Sequence, residues 1–256
     1  METGAITSHI DVAQVVLYVF WAFFAGLIFY LVRENKREGY PLESKENDGP
    51  TGKFFPAIPE PKDYHLPNGE TVSVPNDRRD PVPSNIQDTA PWDGAPLVPT
   101  GNPMIDGVGP AAWAERADRP DMTSEDTPRI VPLRVAGEFG VDTNDVDPRG
   151  KQVMGADRKV AGTVSELWVD VSERLFRYLE VDLSIVEGGR KVLLPINFCR
   201  IGRGGVMVSA ILAEQFKDVP AIAGPDQITL LEEDKICAYY NGGRLYATAA
   251  RAEPIL

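Results

Sequence analysis

Residues Val12–Val32, VAQVVLYVFWAFFAGLIFYLV, form 21 almost unbroken apolar positions, with Gln14 the one frankly polar side chain among them. At roughly 1.5 Å per residue a helix of this length covers about 30 Å, the thickness of a bilayer's hydrocarbon core. A helix also satisfies its own backbone polar groups, which lipid cannot do. The segment has no polar face, as a buried helix of a soluble protein would. A cleaved signal peptide needs a basic leader and a small-residue cleavage pattern. The eleven residues before Val12 carry no Lys or Arg, and RENKREGYPL follows Val32. The reading is a retained membrane span.

The flanks orient it. Arg33, Lys36 and Arg37 lie just past the span and nothing basic precedes it. The positive-inside rule then places residues 1–11 on the periplasmic side and the C-terminal bulk in the cytoplasm. Tyr18 and Trp21 lie too deep to anchor at the membrane surface. Tyr30 and Tyr40 are the better interface candidates, and Arg33, Lys36 and Arg37 can meet anionic lipid headgroups.

The formal charge of the whole chain is -12. That surface disfavours nucleic acid, and no basic stripe argues otherwise. Cys199 and Cys237 have no zinc, haem or iron-sulfur spacing and read as partly buried thiols of a reducing compartment. His9 and His65 stand alone in sequence. No phosphate loop is present, and Gly202–Arg203–Gly204–Gly205 is a hairpin-type turn. With two isolated histidines, a Ser-His-Asp or Cys-His arrangement has no base. The chain reads as a subunit without its own catalytic site.

Two zones follow the tail and span. Residues 33–129 hold most of the proline: 17 of 22 lie between Pro41 and Pro132. Proline lacks an N–H and clashes with the preceding turn, so long helices are excluded. A disordered linker would lack apolar anchors. Phe54, Phe55, Ile58, Tyr64, Trp92 and Trp113 recur here, favouring an extended chain laid over a surface. Residues 130–256 read as a β-rich globular domain, a small antiparallel, barrel-like sheet with a short C-terminal helix. VAGTVSELWVDV and LFRYLEVDLSIV are strands separated by Ser172–Arg174. In the second, Leu179, Val181, Leu183 and Ile185 face one way and Tyr178, Glu180 and Asp182 the other. KVLLPI and VMVSA are further strands around glycine turns. Ile211–Phe216 is a helical turn. Glu232, Glu233 and Asp234 suit a helix N-terminus. Asn241–Gly242–Gly243 is expected to end that helix, with RLYATAA returning as a strand or tail.

Several of these segments match one family. FWAFFAGLIFYL, REGYPLE (Arg37–Glu43), GNPMIDGVGPAAW (Gly101–Trp113), VAGTVSELWVDVSERLFRYLEVDL and PDQITLLEEDKICAYYNGGRLYATA together resemble the H subunit of the purple bacterial photosynthetic reaction centre, over nearly the full length. The resemblance implies a PRC-barrel-like cytoplasmic domain and a subunit that itself binds no pigment, quinone or iron. Its partners would be the L and M subunits, which carry bacteriochlorophyll, bacteriopheophytin, quinones and non-haem iron. A cytochrome subunit and a light-harvesting complex are further partners it allows, in a bacterial inner, photosynthetic membrane. It implies a cap over the quinone-iron region and a part in proton delivery to the secondary quinone. The alternative is a single-span adaptor whose barrel-like domain recruits a soluble partner.

For site residues, the family pattern places a proton-path carboxylate at Glu173, with Asp170 and Arg177 beside it. Read alone, Glu173 is a turn carboxylate paired with Arg174 or Arg177. Arg177 is expected to limit repulsion between Asp170 and Glu173. Some members collect protons through an Asp and two His at positions held here by Thr123, Glu125 and Thr127. No histidine is near, so Glu125 and Asp126 become the candidates.

Overall fold

A computed structural model describes residue 6 and residues 11–37, 43–44, 49–50, 55–67, 69–76, 84–92, 95–184 and 190–252. The chain divides into two compact units, Met1–Asp80 with Pro91–Ala95, and Pro81–Ala90 with Pro96–Leu256.

The first unit begins with helix α1 (Val12–Asn35), three residues longer than the apolar run. Asp11 caps it, accepting from the Gln14 N–H at 2.7 Å, and Arg33 occupies its last turn, where a cation suits the helix dipole. It has no buried residue and is long and apolar enough to cross a membrane. Its polar exception is accommodated within the helix: the Gln14 amide donates to the Tyr18 hydroxyl, one turn on, at 3.3 Å. Two short antiparallel ribbons follow, β1 (Glu43–Ser44) with β2 (Gly49–Pro50), and β3 (Lys62–His65) with β4 (Thr71–Val74). The end of α1 is tied to this chain. Arg37 pairs with Glu34 at 2.7 Å and donates to the Glu60 carbonyl, Lys36 donates to the Pro56 carbonyl, and Phe29 meets Phe55.

The second unit starts well before Ile130. Its first elements are β5 (Ile86–Asp88), paired with β6 (Leu97–Pro99), and the single helical turn α2 (Pro103–Asp106). Asn102 caps α2, and Gly107 closes it in the left-handed region at φ 67. A Cβ at Gly107 would stand 2.3 Å from the Trp113 ring, so this position requires glycine twice over.

A seven-stranded sheet forms the body: β7 (Ile130–Pro132), β8 (Gln152–Met154), β9 (Val160–Asp170), β10 (Leu175–Asp182), β11 (Lys191–Pro195), β12 (Cys199–Gly202) and β13 (Gly205–Val208). Its path runs β11-β10-β9-β8-β13-β12, and β7 pairs with β9. The ladders are antiparallel except β13 on β8, which is parallel. β6, β7 and β11 each end on a proline, which cannot donate to a ladder. β9 is the hub: β10 runs along one edge, while β8 and β7 divide the other. Register shifts between Phe176 and Tyr178, and between Glu180 and Val181, mark bulges that add local twist.

The alternation read in β10 does not survive as a buried and a wet face. Tyr178, Leu179, Glu180 and Val181 are all buried, because side chains of other elements cover both sides of this central strand. Ile185 and the turn at 187–189 lie outside the described residues. Ile211–Phe216 is helical in part: Ala213–Asp218 forms a 3-10 turn.

Helix α3 (Leu230–Tyr246) starts where its sequence says. Thr229 accepts from the Glu232 N–H at 3.1 Å, and the Glu232 carboxylate accepts from the Thr229 N–H at 2.8 Å, a capping box. It does not stop at Gly242–Gly243. Those glycines sit mid-helix because the helix packs too closely for a side chain there. A Cβ at Gly242 would be 2.5 Å from the Ala111 Cβ, and one at Gly243 2.4 Å from Ile211 Cγ2. What reads as a stop signal is a contact surface, and RLY continues the helix instead of forming a strand. A Gly243→Ala chain is expected to lose about 1 kcal/mol or more. The clash costs about 2 kcal/mol and outweighs the ~1 kcal/mol of helix propensity that alanine brings. Gly204→Ala, where a Cβ meets nothing within 4 Å, is expected to change stability by less than about 0.5 kcal/mol. Urea unfolding of the two variants checks the contrast.

Candidate functional site

The turn that joins β9 to β10 carries the expected residues. Asp170 ends β9 and is 1 % exposed. Its Oδ1 accepts from the backbone N–H of Ser172 at 3.0 Å and of Glu173 at 2.9 Å, so the carboxylate builds the turn. Arg174 completes it in the left-handed region at φ 56, and its N–H donates to the Asp170 carbonyl at 2.8 Å.

Asp170 and Glu173 do converge, and the cation between them is Arg129, not Arg177. The Arg129 Nε donates to both Asp170 oxygens at 3.1 and 3.0 Å, and its Nη2 donates to Glu173. Its Nη1 reaches Asp121 Oδ2 at 3.2 Å. Three carboxylates thus share one planar guanidinium, whose five N–H donors suit such a task. Backbone bonds fix the hub. The Arg129 N–H donates to the Asp121 carbonyl at 2.8 Å, and the Val171 N–H donates to the Arg129 carbonyl at 3.0 Å.

The environment separates the two expected carboxylates. Burial alone would raise the Asp170 pKa. The Glu173 N–H, the Arg129 side chain and the Ser172 N–H outweigh it and hold the group below the ordinary carboxylate value. The Asp170 hydrogen bond in turn raises Arg129. Asp170 is a clamp whose ionised form the fold favours. Glu173 differs: its side chain is half exposed, so it meets both Arg129 and solvent.

Arg177 lies on the bulged part of β10 and serves another carboxylate. Burial raises Glu233 on α3, and a 2.8 Å hydrogen bond from the Tyr178 hydroxyl and the charges of Arg177 and Arg116 oppose that rise. Glu125 and Asp126 sit at the exposed tip of a tight hairpin. Its ends are held by the Thr123 N–H on the Thr127 carbonyl at 2.8 Å and by their paired hydroxyls at 2.8 Å. Asp126 takes φ 57 there. Of the membrane-side candidates, Arg33 and Tyr30 are exposed, while Lys36 and Arg37 are engaged by carbonyls of the following chain. Tyr40 lies outside the described residues.

Glu180, read as facing the wet side of its strand, is 4 % exposed. Burial alone would raise it. Lys191 at 2.7 Å, the Ser165 hydroxyl at 2.8 Å and the Trp168 indole N–H at 3.3 Å outweigh this and lower its pKa. Cys199 and Cys237 are free and half-buried, and burial pushes the Cys199 thiol up to about 11. Among the described residues, no group of three or more His, Cys, Asp or Glu side chains gathers as metal ligands do.

Among the described residues, one helix long and apolar enough to cross a membrane, a mixed seven-stranded sheet and a carboxylate-rich turn define a β-domain protein with a candidate membrane span. Residues 143–215 match the PRC-barrel domain family. Residues 4–135 match the family described as the photosynthetic reaction centre, H-chain N-terminal region. The chain belongs to the reaction centre H-chain family.

Arg129 and Asp121 were missed from sequence. The available signal is weak: both lie in the PDMTSEDTPR stretch, but nothing local announces that Arg129 meets Asp170, 41 residues further on.

Because the Asp170 pKa is lowered in the fold, its contribution to stability is complete above its unfolded value. It is lost as pH falls through the folded value. Asp170→Asn is therefore expected to cost about 2 kcal/mol at pH 7. The gap to the parent chain should close as pH drops below about 4. Urea midpoints across that range measure it.

Proposed function

We propose that this chain caps the cytoplasmic face of the L and M subunits of a photosynthetic reaction centre and passes protons toward the secondary quinone through Glu173. The observation that carries the reading is the contrast between two carboxylates on one guanidinium, Asp170 sealed and Glu173 half exposed. A proton carrier must change charge without collapsing its surroundings. Asp170 provides the constant negative charge and the turn. Glu173, half exposed on the same arginine, is the carboxylate assigned here to carry the proton, while Arg129 keeps two other partners.

Membership of the H-chain family supports the choice of partners, and the quinone bound by those partners is the group that accepts electrons and protons. The chain's own task is to orient carboxylates, hold off bulk water and supply a route. Dense packing around Trp168, Leu179 and Tyr240 suits a lid that excludes water except along charged edges. The basic flank Arg33, Lys36 and Arg37 supports a cytoplasmic C-terminal side and an inner-membrane location. No cofactor is assigned to this chain.

Two measurements test this. Glu173→Gln in the assembled complex is expected to slow flash-induced uptake of the proton that follows the second electron by about tenfold or more. Unchanged kinetics from pH 6 to 9 would remove the relay. The chain is also expected to remain with membranes through a high-salt wash, and to purify in mild detergent in fixed ratio to pigment-bearing subunits. Release by salt alone contradicts the anchor, since a 24-residue apolar helix does not depend on screened charges.

A further inference from the structure

We propose that Asp121 is the carboxylate through which protons from solvent reach Glu173, in place of the Glu125 and Asp126 pair that the sequence favoured. This inference rests on the relay reading of Glu173 and names where that relay is fed. Two neighbouring nitrogens of one guanidinium hold the two groups, Nη1 on Asp121 at 3.2 Å and Nη2 on Glu173. Both carboxylates are held by nitrogens bonded to one carbon, and the proposal places a single bridging water between them. The third partner, Asp170, is 1 % exposed and cannot serve as a surface collector, whereas the Asp121 side chain is 43 % exposed.

The backbone presents Asp121 rigidly. Its Oδ1 accepts from the Met122 N–H at 3.1 Å, and its carbonyl accepts from the Arg129 N–H at 2.8 Å. The preceding residues are bound to the start of α3. The Leu230 N–H donates to the Arg119 carbonyl at 3.0 Å, and the Thr229 hydroxyl donates to Asp118 at 2.8 Å. The charges around the pair are Arg129 and Asp170 from the hub, and Glu233 on α3, whose proton affinity the Asp121 charge raises while Arg116 and Arg177 oppose it. Glu125 and Asp126 belong to a hairpin closed on itself through Thr123 and Thr127, and among the described residues the carboxylates on Arg129 are Asp121, Asp170 and Glu173.

The step involves no electrons. A hydronium ion protonates Asp121 and leaves water. The Asp121 O–H gives its proton to the bridging water, which releases one of its own to the Glu173 carboxylate. Asp121 returns to its ionised form on Arg129, and the water is restored.

Flash-induced proton uptake in the purified complex tests this, with intact pigment absorption confirming assembly. Asp121→Asn keeps the acceptor for Met122 but cannot ionise, and is expected to slow uptake about tenfold above pH 7. Asp121→Glu is expected to restore it. Millimolar azide or formate is expected to accelerate the Asp121→Asn complex and leave the parent unchanged, because a diffusible weak acid replaces a missing proton donor but does not repair a displaced loop. The double change Glu125→Gln with Asp126→Asn is expected to stay within about twofold of the parent. Slow uptake in Glu173→Gln beside parental rates in Asp121→Asn would overturn the Asp121 assignment and leave the relay standing. An Asp121→Asn defect that neither glutamate nor weak acid relieves would also overturn it. Parental rates in Glu173→Gln would remove the relay itself.

Discussion

The pairing of Asp170 with Arg129 is the constraint around which the larger unit is arranged. A carboxylate this deeply buried costs several kcal/mol to leave unpaired. The chain answers with an arginine 41 positions earlier and two backbone N–H groups of the following turn. Those contacts fix where β9 ends, how the chain reverses, and how β7 aligns, with Ile130 opposite Asp170 in the ladder. They bring the segment around Asp121 against the same turn. A structural ion pair thereby sets the position of the half-exposed glutamate beside it.

Charge in this domain is managed by environment rather than by residue type. Asp170 and Glu180 are both buried and both have their pKa lowered, Asp170 by an arginine it shares and Glu180 chiefly by Lys191, each with neutral donors beside. Glu233, half-buried with a tyrosine hydroxyl as its hydrogen-bond donor, moves the opposite way because burial prevails there. The same side-chain chemistry thus has its proton affinity lowered in one place and raised in another. Such division is what the proposed relay would draw on, since a path made only of clamped anions would hold charge without moving it.

Close packing of α3 shows the same dependence on context. Local rules place its start correctly, because Thr229 and Glu232 satisfy the first turn within four residues. Those rules misplace its end, because Gly242 and Gly243 answer to Ala111 and Ile211, more than 30 residues away in sequence. The error over Arg177 has the same origin. Proximity in sequence made it the natural partner of Asp170 and Glu173, yet the bulge after Phe176 shifts the register there and its charge acts on Glu233.

The sequence by itself determined the apolar helix, the strands around Ser172–Arg174 and the family. Each is written in contiguous residues: hydrophobic runs, proline placement, capping motifs and matched segments. Only the tertiary structure decided which cation joins Asp170 to Glu173, that Glu180 lies inside, that α3 runs through its glycines, and that Asp121 shares the arginine. These are long-range juxtapositions. They follow from strand register and packing distance, which no local pattern of residue types encodes.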